Sequence, residues 1–363
     1  MISVDTSFGF NFPAIRGIQA NNEYFVCMCP LKFVPKLFAN TDEDLKPNLR
    51  SQRMLNQKRI PSITRYILDN PDSYIFSAIT ASIDGDVKFV SAEKKSNFGN
   101  LWISADANVL INDGQHRKRA IEAALEENSD LQNETISVVV FVDKGLKRSQ
   151  QMFADLNRYA AKVTKSLGLL YDHRDSEAEM IRKIINNTRC FNGVIEFEKN
   201  SLSPLSKRLF TFSAIYTATK ELFTEFKHSS IEKSANIASE FWQEVSLQLP
   251  EWGKVQKGDL LASEVRQDFI HTHGIFLTSI AHVGNYLLRH KKVSWKKLLS
   301  QLSKIDWRRN NSDWEGRCMI GGGRISKARI NVILTSNYIK NKLDISLEPD
   351  EELEEQKFIE RRE

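Results

Sequence analysis

Asp113-Gly114-Gln115-His116-Arg117 lies between the apolar run Val109-Leu110-Ile111 and the stretch Lys118 to Leu125. The pattern predicts a strand, a tight turn and a helix with a basic tip. A helix start leaves backbone N–H groups unpaired and carries the positive end of the helix dipole. Arg117, Lys118 and Arg119 add full charges at the same place, so the junction is expected to face an open site and hold an anion such as phosphate. Gly114 permits a tight turn and close backbone approach, Gln115 and His116 offer hydrogen-bond donors, and Arg117 offers a planar fork for phosphate oxygens. Asp113 fits a helix cap, the cheaper explanation, and could equally hold a metal ion or orient His116.

A second cluster runs from Trp307 to Arg329. Arg308, Arg309, Arg317, Arg324, Lys327 and Arg329 stand against Asp313 and Glu315, six less two, for a net charge of +4. Gly321-Gly322-Gly323 removes every side chain from the middle of this stretch, which lets backbone N–H groups approach phosphates. The Walker pattern is absent, and Trp307 and Trp314 are expected to be core anchors. From Leu49 to Arg65 there is no acidic residue; if helical, Arg50, Arg53 and Gln57 share a face that either tracks a phosphate backbone or is merely solvated, with Arg59 close by. Asn157 and Arg158 close a further predicted helix, where they are either phosphate ligands or a C-cap and a surface charge.

Other chemistry is poorly supported. Cys27 and Cys29, spaced i, i+2, share one side of a strand, as a redox-sensitive pair or as two small buried hydrophobes. Cys190 and Cys318 complete the set without a Cys-x-x-Cys motif. His271 and His273 fall in a predicted helix, where i, i+2 side chains diverge, so no metal site is expected. Asp172-His173-Arg174-Asp175 has no accompanying Ser or Cys nucleophile pattern, so a hydrolytic triad is not supported.

Asp-Gly-Gln-His-Arg is also the signature of the DGQHR-domain proteins, and the chain resembles the DndB family of DNA phosphorothioation gene clusters within that group. Phe153-Ala154-Asp155-Leu156-Asn157-Arg158, Leu170 to Asp175, Leu209 to Ser213, Ile305 to Asn310 and Trp314 to Arg317 resemble blocks of that family in the same order. More distantly, the turn resembles the phosphate-contacting box of ParB-like domains, and Asp155 to Arg158 resembles their downstream box. The DndB resemblance implies a repressor of its own modification cluster, binding double-stranded promoter DNA as a homo-oligomer beside other DNA-modification proteins. Arg50, Arg53, Arg59, Arg308, Arg309, Arg317, Arg324 and Lys327 would meet the DNA. The ParB resemblance implies an alternative, a nucleotide-binding or nucleotide-hydrolysing protein. There Gly114, Gln115, His116, Arg117, Arg119, Asn157 and Arg158 would clamp a nucleoside triphosphate, with Asp113 on magnesium and Gln115 or His116 orienting water. This sequence has Gln-His where ParB proteins commonly have Glu-Arg, so their catalytic details do not transfer, and an enzyme is the less favoured reading.

These residues need a scaffold. Strands are expected at Tyr24 to Met28, ending at Pro30, at Tyr74 to Ile83 and Val87 to Val90 as a hairpin about Asp84-Gly85-Asp86, and at Leu101 to Ile103. The run Ile136 to Val142 is expected to lie beside the strand that feeds Asp113. Ser149 is the expected cap of the next helix, and beyond Lys147 helical spacing dominates. The expected fold is α+β: a ParB-like mixed-sheet domain at 1–170, a mainly helical domain at 171–346 and an acidic tail at 347–363. Of the net charge of +5, the segment Glu348 to Glu363 carries eight acidic and three basic residues, or −5, which leaves about +10 elsewhere and favours a polyanionic partner. That segment reads as a helix or a solvated end. No run approaches the ~20 apolar residues of a membrane span and no signal-peptide layout begins the chain, so a cytoplasmic location is expected.

Overall fold

The computed structural model describes residues 8–39, 55–142, 146–158, 163–224, 230–290 and 294–361. The chain forms two compact units, Met1–Ala161 and Lys162–Glu363. Arg50 and Arg53 lie outside the described residues.

The first unit is built on strands β1 (Gly9–Gln19), β2 (Asn22–Pro30), β3 (Ile79–Asp84), β4 (Val87–Ser91), β5 (Phe98–Ser104), β6 (Asn108–Asp113) and β7 (Thr135–Val142). They form one mixed sheet in the order β4-β5-β1-β2-β7-β3-β6, with β3 and β7 parallel and every other neighbour antiparallel. β1 was not legible as a strand, because Pro13 and its polar outward positions mask the alternation that buries Phe12 and Ala14. The expected hairpin at Asp84-Gly85-Asp86 does not form. β3 pairs β6 and β4 pairs β5, so β3–β4 and β5–β6 are the two arms of one long hairpin that bends at Gly85. The sheet therefore curls until its two ends belong to the same ribbon. Gly85 (φ +151) is needed there, since a Cβ would meet the Ala107 Cα at 2.7 Å. β7 likewise lies beside β2 and β3, not beside β6, because β3 intervenes.

Helices α1 (Val34–Leu37), α2 (Ile60–Leu68), α3 (Gln115–Glu127) and α4 (Leu146–Arg158) complete this unit. Alternation in β7 buries Ile136, Val138 and Val140, which join Cys27, Cys29, Ile79, Ile111, Ile121 and Ala124 in one core. Ser149 does not cap α4. It lies inside the helix, buried, with its hydroxyl 2.6 Å from that of Ser82 and its carbonyl accepting from Asn112 Nδ2.

The second unit is mainly helical: α5 (Lys165–Tyr171), α6 (Ser176–Asn187), α7 (Phe212–Leu222), α8 (Ile231–Leu247), α9 (Pro250–Lys257), α10 (Ala262–Asp268), α11 (Gly274–Arg289), α12 (Trp295–Leu299), α13 (Arg329–Lys342) and α14 (Pro349–Glu360). α11 is apolar on most of its surface and is the centre of the packing, against α7 on one side and α13 on another. Gly284 makes this possible, since a Cβ would strike Leu222 and Phe241 at 2.6 Å. Trp307 and Trp314 stack at 5.4 Å, both buried, and their indole N–H groups donate to the carbonyls of Leu302 and Asp306. They anchor the basic stretch to the core. The acidic C-terminal segment is a packed helix: Glu351, Glu355 and Phe358 of α14 are buried.

Candidate functional site

β6 delivers Asp113 to the turn, Gly114 reverses the chain at φ +111, and α3 begins at Gln115. Gly114 itself occupies the N-cap and no side chain caps the helix, so Asp113 does not serve as the cap. Its carboxylate accepts from Arg117 instead, at 2.7 Å, and the same guanidinium donates to the Ala78 carbonyl at 3.1 Å. Lys118 is buried and pairs with Glu122 at 2.6 Å, while Arg119 reaches the same carboxylate at 3.3 Å. The basic tip is therefore largely neutralised, by Asp113 at the end of β6 and by Glu122 within the helix. Gln115 and His116 are half-buried in its first turn. Asn157 and Arg158 end α4 in exposed positions, and Asn157 Nδ2 donates to the Phe153 carbonyl.

Cys27 and Cys29 do share one side of β2, and that side is the core. Both are completely buried, and burial pushes each thiol up to about 12. A thiolate is the reactive form, so the redox expectation gives way to packing. Arg59 is exposed on the single turn before α2.

The second basic cluster separates into three groups. Arg308 and Arg324 are exposed, with no ion-pair carboxylate among the described residues. Arg324 follows Gly321–Gly323, the three-residue connection of a small hairpin joining Met319–Ile320 to Arg324–Ile325. Gly322 and Gly323 take φ of +75 and +74, which no branched residue tolerates well. Arg309 braces this connection by donating to the Gly323 carbonyl at 2.7 Å.

Arg317 belongs to the second group and corrects the expectation that it meets DNA. It is buried, donates to the Leu334 carbonyl at 2.8 Å, and holds both oxygens of Glu355. Its cation is part of the packing of α14.

Lys327 and Arg329 form the third group; both are exposed, at the rim of a half-open cleft of about 820 Å³ bordered by α7, α11, α13 and α14. Inside it runs a charge chain that the sequence did not disclose. His282 donates from Nδ1 to Glu221 (2.7 Å) and from Nε2 to Glu351 (3.0 Å), and Glu351 also accepts twice from the fully buried Lys340, at 2.6 and 2.7 Å. The Glu221 and Glu351 carboxylates push His282 up to about 9 against the opposing effect of burial. For Glu351, burial acts upward, but hydrogen bonds from His282, the Glu348 backbone and Lys340 prevail and hold it at about 2. These four residues come from α7, α11, α13 and α14, so no local spacing could have marked them. His271 and His273 precede α11 in a turn, not in a helix. His271 accepts from the Trp252 indole at 3.0 Å, and burial, with Arg309 and Lys327 nearby, takes His273 down to about 4.

Fold and site together define a two-unit α+β protein that presents an exposed, arginine-flanked glycine connection. The chain belongs to the DndB family, described as DNA-sulfur modification-associated, whose model matches residues 12–346. No curated protein and no solved structure matches it. No helix among the described residues is long and apolar enough to cross a membrane.

Proposed function

We propose that this chain is a DNA-binding regulator of a DNA-sulfur-modification system, acting as a repressor at promoter DNA. The observation that carries the reading is the Gly321–Gly323 connection. Its backbone is free of side chains, is fixed by Arg309 and runs into the exposed Arg324, while Arg308, exposed, precedes Arg309 in the chain; no carboxylate neutralises Arg308 or Arg324 among the described residues. Backbone N–H groups with flanking guanidinium groups match the phosphates of a duplex. Membership of a family associated with DNA sulfur modification supplies the context, and the net charge of about +10 outside the C-terminal segment supplies long-range attraction.

Titration of a labelled promoter duplex with the wild type and with Arg308→Ala/Arg324→Ala, across a salt series, tests this. Losing two phosphate contacts should weaken binding and reduce the slope of log K against log salt by roughly 2. Unchanged affinity with an unchanged slope removes the glycine connection from the interface. The alternative, nucleotide held at the Asp113–Arg117 turn, has less support, because Asp113 and Glu122 already neutralise Arg117 and Lys118.

A further inference from the structure

Residues 203–208 of the helical unit make a tight, exposed loop. The Ser206 N–H donates to the Ser203 carbonyl at 3.0 Å, which closes a turn with Pro204 and Leu205 at its centre. Pro204 fixes the backbone just ahead of Leu205. Leu205 is 90% exposed, more than any other large hydrophobic side chain among the described residues. A lone surface leucine is ordinary, but the mounting of this one is not. The half-buried Arg266 guanidinium donates to four carbonyls of the loop, those of Ser203 (3.0 Å), Pro204 (2.9 Å), Ser206 (2.9 Å) and Arg208. No carboxylate among the described residues pairs with Arg266, so its full charge stays behind the turn. Lys207 and Arg208 are exposed and also lack an ion-pair carboxylate among the described residues. An apolar tip is thus held rigid in water with three cations at its base.

The end of α10 that supplies Arg266 also carries the glycine connection. The Asp268 carbonyl accepts from the Arg309 N–H at 2.8 Å, and the Arg309 guanidinium, which donates to Gly323, reaches the Gln267 carbonyl at 3.4 Å. Phe269 then pairs with Arg308 in an antiparallel bridge. Residues 266–269 therefore tie the Leu205 turn and the Gly321–Gly323 connection into one hydrogen-bonded frame.

We propose that the 203–208 loop is the element that enters a groove of the duplex, with Leu205 wedged between two base pairs in the minor groove and Lys207 and Arg208 on the phosphates beside it. The proposal rests on the DNA reading above and adds the contact that discriminates among sequences. Phosphate contacts at the glycine connection carry no sequence information, whereas a wedge selects duplexes by how readily a base step unstacks. Proteins that kink DNA combine the same parts, an apolar tip that displaces stacked bases and cations that hold the backbones around the kink. An apolar protein surface would cover the leucine but leave Lys207, Arg208 and Arg266 without counter-charge. A duplex satisfies both.

The test uses the full-length protein and the promoter duplex carrying a fluorescence donor at one end and an acceptor at the other. The wild type should bring the ends together, bending the duplex by roughly 20–90°. Leu205→Ala should lose the bend and weaken binding about tenfold, with an unchanged salt slope because no charge is removed. Leu205→Phe should keep the bend, since an aromatic ring also serves as a wedge. Arg266→Gln, which frees the loop and keeps the leucine, should lose it. Both Leu205 variants should melt at the wild-type temperature, as the side chain is exposed, and so cover the case in which Arg266→Gln fails to fold. A straight duplex in the wild-type complex, with affinity lost in Arg308→Ala/Arg324→Ala, overturns the wedge and leaves the DNA reading standing. Absence of salt-dependent binding by the wild type removes both. A bend that persists in Leu205→Ala also overturns the wedge; if that variant instead changes self-association in sedimentation, Leu205 is a contact between copies.

Discussion

Arg117 illustrates how a residue type can be right and its setting illegible. The turn and the helix start were readable from Asp113 to Arg117 and the residues flanking them, because turn chemistry is local, and Gly114 takes a positive φ that glycine permits. That Asp113 would neutralise Arg117, rather than cap the helix, depends on where the Ala78 carbonyl falls, and Ala78 is 39 residues away. Gly114 yields a direct test. A Cβ there would sit 3.0 Å from Ile79 Cγ1 in a backbone region that side chains rarely adopt. Gly114→Ala is expected to lower stability by ~1–3 kcal/mol, seen as a reduced urea midpoint with unchanged slope. A midpoint equal to the wild type would show that the turn relaxes without strain.

Among the elements, α14 departs furthest from its appearance in the sequence. A string of acidic residues reads as solvated, yet α14 inserts Glu351 between His282 and Lys340 and Glu355 against Arg317. The partners lie on α11, α13 and the preceding connection, so only the folded chain brings them to hand. Taking one member from a buried ion pair leaves the other charged and unsolvated. Glu355→Ala should therefore cost ~3–5 kcal/mol, against about 0.5 kcal/mol or less for Lys183→Ala, whose pair with Glu179 is exposed. Equal effects in denaturant melts would mean that the α14 contacts contribute only surface electrostatics. By contrast, the helical spacing expected beyond Lys147 is present in α7 and α11, since apolar spacing is a property of the segment itself.

At the scale of the whole molecule, the succession of a mixed sheet in the N-terminal part and a mostly helical C-terminal region was legible from the shift in hydrophobic period, whereas strand order was not, because pairing partners are remote and alternation does not name them. The charge chain in the helical unit gives the protein a characteristic pH response. His282 is raised from its ordinary 6.5 to about 9, so its contribution to stability is complete below pH 6.5 and is lost as pH climbs through 9. Glu351 is lowered from 4.5 to about 2, so its contribution is complete above pH 4.5 and is lost as pH falls toward 2. Thermal midpoints should thus decline from pH 6.5 to 9.5 in the wild type and be flatter in His282→Gln; identical slopes for the two would exclude His282 as the source. The curled sheet carries a different consequence. β1 must wait for β5, and β2 for β7, which follows α3 in the chain, so the nascent β1–β2 pair emerges with both flanks open. Biogenesis of this protein is accordingly most exposed to aggregation in that interval, and slowing translation between Pro30 and Thr135 should lower its yield without altering the finished molecule.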